Sequence, residues 1–181
     1  YAFFKNKIMK NNNNSSIVNI NRYKNIKSPQ VLEELDIYTY LQNISNPDTA
    51  IQEMIEKARC FYKEENKEQY DKIKSLLPCY TLNFGFDQYK QNSNTIGSTG
   101  LIYIDLDNET KITMSNKLIF ASWMSLSNNG RGILVKIEGL NLRNFQYNYN
   151  IIAKELGIVA DKGASKATQY TVQSYDSKLY I

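Results

Sequence analysis

Residues 100–107, Gly-Leu-Ile-Tyr-Ile-Asp-Leu-Asp, join a β-branched apolar run to two carboxylates spaced two residues apart. Side chains of an extended strand alternate between its two faces, so Asp105 and Asp107 point the same way. Neighbouring carboxylates repel each other unless a cation or a shared proton lies between them. The pattern therefore predicts a buried strand that ends either in a divalent-metal site or in a solvated turn at Asp107 and Asn108. Spacing alone leaves both interpretations open.

Length and composition are those of one globular domain. The chain has 181 residues, of which 42% are hydrophobic and 22% charged, as in ordinary soluble domains. The sequence has no apolar run near the ~20 residues that span a bilayer, and no signal-peptide core. We therefore expect a cytoplasmic protein with no membrane partner. Because the chain starts at Tyr1 rather than Met and ends in a strand-like pattern, we also expect a piece of a longer protein.

Charge and residue types restrict the possible chemistry. The net charge of +4 is mildly basic and compatible with a nucleotide or nucleic-acid partner. The 181 residues include no histidine, which excludes a Ser-His-Asp triad, a Cys-His dyad and histidine-ligated zinc within them. Cys60 and Cys79 have no metal-ligand spacing, and we predict that both are reduced core cysteines.

Periodicity and turn residues predict an α+β fold. Helices are expected at residues 29–41, 47–63, 63–74 and 141–156, the last ended by Gly157. Strands are expected at residues 1–8, 16–23, 79–86, 100–107, 118–126, 133–137 and 168–175. Residues 88–98 are expected as a loop, and residues 110–117 as a short helix or turn. This order predicts a mainly antiparallel sheet with helices packed against it, in a domain at residues 46–181 preceded by an extension or accessory element at residues 1–45.

A second group of candidate residues follows the paired aspartates. The turn at residues 127–132 offers the Ser127 hydroxyl, the Arg131 guanidinium, and close backbone approach at Gly130 and Gly132, all of which suit a phosphate. Such a turn is also common as a plain hairpin connection.

A further carboxylate, Asp161 or Asp176, could complete a two-metal site for phosphoryl transfer. A lone loop aspartate also serves as a helix cap or a turn former. The residue pattern leaves these alternatives open.

Four segments resemble one protein family, in the same order along the chain. They are LPCYT at residues 77–81, STGLIYIDLD at 98–107, SLSNNGRG at 125–132 and QSYDSKLY at 173–180. Together they resemble the N-terminal, PrimPol-like domain of virulence-associated E proteins, in the archaeo-eukaryotic primase superfamily. The resemblance covers roughly residues 57–181.

The resemblance implies an RRM-like catalytic sheet and template-directed nucleotide polymerisation with Mg²⁺ or Mn²⁺. It implies that Asp105 and Asp107 are the first metal-binding motif and that Asp161 is the third carboxylate, with Asp176 as second choice. The implied partners are a nucleoside triphosphate, a nucleic acid, and a helicase or ATPase domain further along the full-length protein. If active, the enzyme would be a DNA primase- or polymerase-type nucleotidyltransferase.

Two positions depart from the family pattern. Active primases usually carry a histidine just after the glycine-containing turn, at a position close to Leu134 here, and Gln169 stands where the family often has an arginine. Both departures point toward a weakened or lost active site. The alternative hypothesis is therefore a catalytically silent scaffold that binds nucleic acid or a protein partner.

Overall fold

The computed structural model describes residues 19–108, 116–158 and 165–181, which hold nine strands and four helices. The strands are β1 (Asn19–Tyr23), β2 (Val31–Asp36), β3 (Cys79–Thr81), β4 (Phe84–Phe86), β5 (Thr95–Ser98), β6 (Leu101–Leu106), β7 (Ile119–Met124), β8 (Arg131–Lys136) and β9 (Thr171–Val172). The helices are α1 (Ile37–Ser45), α2 (Thr49–Lys63), α3 (Lys67–Lys74) and α4 (Phe145–Glu155).

The described strands form three antiparallel sheets. Their strand orders are β2-β1-β3-β9, β4-β5 and β6-β8-β7. The predicted α+β class with antiparallel pairing is confirmed. The strands are divided among three sheets, whereas the sequence predicted a mainly antiparallel sheet and the family resemblance implied an RRM-like one.

Two buried asparagines mark the points where the sheets separate. The side-chain oxygen of Asn83, between β3 and β4, accepts a hydrogen bond of 2.7 Å from the backbone N–H of Tyr103. Asn21 on β1 accepts one of 2.7 Å from the N–H of Phe86 in the same way. Buried backbone N–H groups need hydrogen-bond partners. At these two positions the partner is an asparagine side-chain oxygen, where a regular sheet would supply a carbonyl oxygen of the neighbouring strand. The expected strand at residues 79–86 is for this reason two short strands.

The three-stranded sheet is buried on both faces. One face packs against α1 and the four-stranded sheet, through a cluster that contains Leu101, Tyr103, Ala121, Trp123 and Leu134 together with Ile20, Tyr40 and Tyr80. The opposite face packs against α4, through a cluster that contains Ile102, Ile104, Ile133 and Val135 together with Phe145, Tyr149 and Ile152. The apolar residues of β6 are therefore divided between two clusters on opposite faces of the sheet.

Residues 19–45, expected as an extension or accessory element, share this core. Strand β1 lies between β2 and β3, and Ile37 and Leu41 are buried in the same cluster as Trp123. The helix predicted at residues 29–41 was wrong in its first half. Residues 31–36 pair with β1 as a strand, because a partner strand overrides weak local preference.

The remaining predictions differ mainly at element ends. Helix α2 begins two residues later than predicted, and the expected loop at residues 88–98 contains β5. The last predicted strand is reduced to Thr171–Val172. The prediction that α4 ends at Gly157 is confirmed, with a φ of 70° at that residue.

Cys79 is buried as predicted, but Cys60 is exposed, and both are free thiols. The strand expected at residues 1–8 and most of the segment at 110–117 lie outside the described residues. In the described ranges, no helix combines the length and the apolar character needed to cross a membrane.

Gly130 should be one of the least replaceable residues of the β7–β8 hairpin. A Cβ atom at Gly130 would lie 2.2 Å from the backbone carbonyl oxygen of Leu106, whereas one at Gly97 would meet nothing within 4 Å. We expect Gly130→Ala to lower the free energy of unfolding by about 3 kcal/mol through overpacking. Urea denaturation should show little change for the control Gly97→Ala. Equal stability of the two variants would contradict this packing.

Stability should fall in alkali because buried groups keep protons that the unfolded chain releases. Burial raises the pKa of Cys79 from 9.0 to about 12 and that of Tyr80 from 10.0 to about 12. Their contribution to stability is fully present below pH 9 and is lost as the pH rises toward 12, by about 1.4 kcal/mol per pH unit for each titrating group. Urea denaturation under reducing conditions, followed by Trp123 fluorescence, measures the slope. Tyr80→Phe should make it shallower above pH 10, and an unchanged slope would contradict the assignment.

Candidate functional site

Asp105 and Asp107 line one cleft of about 250 Å³ at the end of β6, together with Tyr103 and Ser127. The register of β6 against β8 places Asp105 opposite Gly132. Since the strand is regular, Tyr103 and Asp105 share a face, and Asp107 continues it past the strand end. The structure thus brings together the two aspartates and the serine that the sequence singled out.

Tyr103 lies next to the carboxylate of Asp105 and orients it. The Tyr103 side chain is buried and stacks on Trp123, with 5.9 Å between ring centroids and 17° between the planes. Its hydroxyl hydrogen bonds to Asp105, and burial followed by the charge of Asp105 raises the pKa of Tyr103 well above 10. The phenol is therefore neutral and orients Asp105.

The hairpin turn is ordered by its own side chains. The Ser125 and Ser127 hydroxyl oxygens are 3.0 Å apart, and Ser125 Oγ accepts a hydrogen bond of 3.1 Å from the N–H of Gly130. Asn129 Nδ2 donates to Asn108 Oδ1 at 2.9 Å, which ties the turn to the end of β6. Ser127 is thereby held beside Asp107.

The space beside the two glycines of the turn is filled by other atoms of the protein. A Cβ atom at Gly132 would lie 2.6 Å from the Trp123 indole, and Gly130 lies against the Leu106 backbone. The close approach that the sequence predicted for a ligand at these glycines is made here by Trp123 and by β6.

Arg131 lies on the other face of the sheet. It pairs with Leu106 and Met124 in the strand register, one residue away from Asp105 and Gly132. Its Nε donates to Ser122 Oγ at 3.0 Å, and burial lowers its pKa while the Asp176 carboxylate opposes that shift. The structure does not bring Arg131 together with the paired aspartates.

Among the described residues, the cation that lines the cleft is Lys74 of α3, together with Tyr70. The sequence predicted only a helix over residues 63–74 and singled out neither residue for the site. The Tyr-Lys spacing of four residues, which places two side chains on one helix face, was the available indication.

The two candidates for a further carboxylate have different outcomes. Asp161 lies outside the described residues. Asp176 accepts hydrogen bonds from the backbone N–H groups of Met124 at 2.8 Å and Lys178 at 2.9 Å, and it is not part of the cleft lining. In the part of the chain that the structure describes, no three acidic or cysteine side chains are grouped to hold a metal ion.

The oxygen donors of the cleft nevertheless suit a hard divalent cation. Two carboxylates, Asp105 and Asp107, and the Ser127 hydroxyl face the same space. Mg²⁺ is usually held by one or two carboxylates and completes its shell with water and substrate phosphates, and carboxylate and water ligands equally suit Mn²⁺. The residues present therefore fit either ion.

Arg59 fixes two walls of the cleft. From α2 its guanidinium donates to the carbonyl oxygens of Leu126 at 3.2 Å, Ser125 at 3.3 Å and Tyr175 at 2.6 Å. Burial lowers the pKa of Arg59, and the nearby Asp176 carboxylate opposes that shift. One side chain thus joins α2, the hairpin turn and the C-terminal segment.

Arg59→Gln should lower the free energy of unfolding by about 2 kcal/mol or more, because several partly buried carbonyl groups lose a charged donor. Lys57→Gln is the matched control, since Lys57 is exposed on the same helix and its charge should contribute little. Urea denaturation compares the two variants. Equal losses would show that Arg59 does not hold the hairpin turn in place.

Comparison with known proteins returned no match: no protein-family model, no curated protein and no solved structure is significantly similar to the chain. The geometry of the cleft and the sequence motifs that form it are therefore the indications of function.

Proposed function

We propose that the chain is a primase- or polymerase-like domain of a replication or mobile-element protein, which carries out metal-dependent nucleotidyl transfer on a nucleic-acid template. One observation carries the proposal. Asp105 and Asp107 face the same cleft with Ser127, and these residues belong to the segments that resemble PrimPol-like domains.

In this proposal Asp105, Asp107 and Asp161 would hold Mg²⁺ or Mn²⁺, and the ion would supply charge neutralisation at the phosphates. Tyr103 keeps Asp105 in one orientation through its neutral hydroxyl. Ser127 donates a hydrogen bond from its hydroxyl to a phosphate oxygen, and the Lys74 ammonium attracts the triphosphate toward the aspartates. Such positioning and charge stabilisation supply most of the catalysis of phosphoryl transfer.

A catalytically silent scaffold is the second candidate, and a specific observation favours it. Leu134, near the position of the family's histidine, is fully buried in the core, and Arg131 bonds to Ser122 on the opposite face of the sheet. Two groups expected around the triphosphate are thus missing from the cleft. Such a domain would keep the scaffold to bind nucleic acid or a protein partner.

Mn²⁺ should raise the melting temperature of the protein through Asp105 and Asp107. We expect the shift to disappear in Asp105→Asn and in Asp107→Asn, because a ligand stabilises only a fold that binds it. Asp87→Asn, at an exposed aspartate, is the matched control and should keep the shift. In a primer-extension assay with Mn²⁺, either cleft variant should lose at least about a hundredfold in rate, because the metal contributes several kcal/mol of transition-state stabilisation.

The outcomes separate the two candidates. Synthesis that depends on both aspartates supports the enzyme, whereas the absence of both synthesis and an Asp-dependent Mn²⁺ shift supports the silent scaffold. A shift that is equal in the Asp105→Asn and Asp87→Asn variants would overturn the metal site itself.

A further inference from the structure

A second, larger space adjoins the aspartate cleft. It has a volume of about 840 Å³ and lies between α2, α3 and the hairpin turn. We call it the α2–α3 groove and define it by Tyr62, Lys63, Tyr70, Lys74, Asp107 and Asn129, which line it. Tyr70, Lys74 and Asp107 also line the aspartate cleft. The two spaces are therefore adjacent, and a ligand longer than one nucleotide could extend from one toward the other.

An ordered aromatic surface forms one side of the α2–α3 groove. The Tyr62 and Tyr70 rings lie 5.3 Å apart between centroids and are tilted by 58°. Tyr62 is 37% exposed, and its hydroxyl accepts a hydrogen bond of 3.3 Å from Asn129 Nδ2. Since the same amide is bonded to Asn108, the exposed ring is fixed before any ligand arrives. A pre-ordered aromatic face loses little entropy when a flat group stacks on it.

The cations of the groove are spaced around these rings. The Lys74 ammonium is 5.8 Å from the centroid of the Tyr70 ring. Lys67 forms an ion pair with Asp71, and in the described ranges no ion pair involves Lys63 or Lys74. These two ammonium groups are available for anionic groups such as phosphates. Because acidic side chains also line the groove, we expect stacking to contribute more to affinity than charge does.

We propose that the α2–α3 groove binds single-stranded nucleic acid, with bases on Tyr62 and Tyr70 and backbone phosphates at Lys63 and Lys74. Aromatic rings interleaved with cations are the usual surface for an unpaired strand, whereas a duplex keeps its base faces stacked and inaccessible. The direction of the strand, toward Asp105 and Asp107, rests on the proposed function. Binding in the groove needs no metal ion.

Fluorescence anisotropy with a short labelled oligothymidylate, in buffer that contains EDTA, tests this groove. Tyr62→Ala should weaken binding by about fivefold or more, the usual effect of losing one stacking ring. Tyr62→Phe should retain most of the affinity. Tyr147→Ala is the matched control, because Tyr147 is 65% exposed on α4 and lies outside the groove, and it should bind like the unchanged protein.

Salt dependence tests the lysines separately. Each phosphate contact contributes about 0.7 to the slope of log affinity against log salt for a single strand. The double variant Lys63→Gln/Lys74→Gln should therefore reduce that slope by about 1.4. Lys154→Gln, at an exposed lysine of α4, should leave it unchanged.

Three results would overturn the groove: no binding of the oligonucleotide, equal affinities of Tyr62→Ala and Tyr147→Ala, or tighter binding of a duplex of the same sequence. Circular dichroism confirms that each variant is folded. The test is independent of the proposed enzyme, because it is carried out without metal. Tyr62-dependent binding without an Asp-dependent Mn²⁺ shift would support the groove and reject the metal site, and the reverse pattern would do the opposite.

Discussion

Strand β8 is paired on both sides, with β6 and β7, in a sheet that is buried on both faces. This constraint decides which side chains of β6 and β8 reach the cleft. A shift of one residue in the pairing would exchange the two faces of β6 and would put Asp105 into the apolar cluster under α4. The same register that exposes Asp105 to the cleft turns Arg131 to the opposite face. Whether a side chain reaches the cleft therefore depends more on its position in the strand register than on its distance from Asp105 along the sequence.

The cleft is also connected to the core through direct contacts. Gly132 leaves the space in which the Trp123 indole lies, Trp123 stacks on Tyr103, and Tyr103 hydrogen bonds to Asp105. Arg59 holds the hairpin turn from the other side. The paired carboxylates are thus set by packing several residues away, which favours a pre-organised site over a mobile one.

The residues that line the cleft differ in part from those that the sequence predicted. The turn at residues 127–132 contributes Ser127 to the cleft, but its glycines accommodate the chain's own atoms. The cation beside the aspartates comes from α3, as does the ring of Tyr70. A nucleotide or a strand bound here would therefore contact a helical wall that none of the resembling segments includes. The α2–α3 groove depends on that helical wall, and no sequence motif predicted it.

The sequence by itself determined the β6 strand, the shared direction of Asp105 and Asp107, the α+β class, and the end of α4 at Gly157. Each of these depends on alternation, periodicity or turn preference within a few neighbouring residues. Only the tertiary structure decided that residues 31–36 form a strand, that Arg131 lies away from the cleft, and that Lys74 and Tyr70 lie beside it. Those outcomes depend on which strand or helix comes to lie next to each segment, and residues far apart in the chain supply those neighbours.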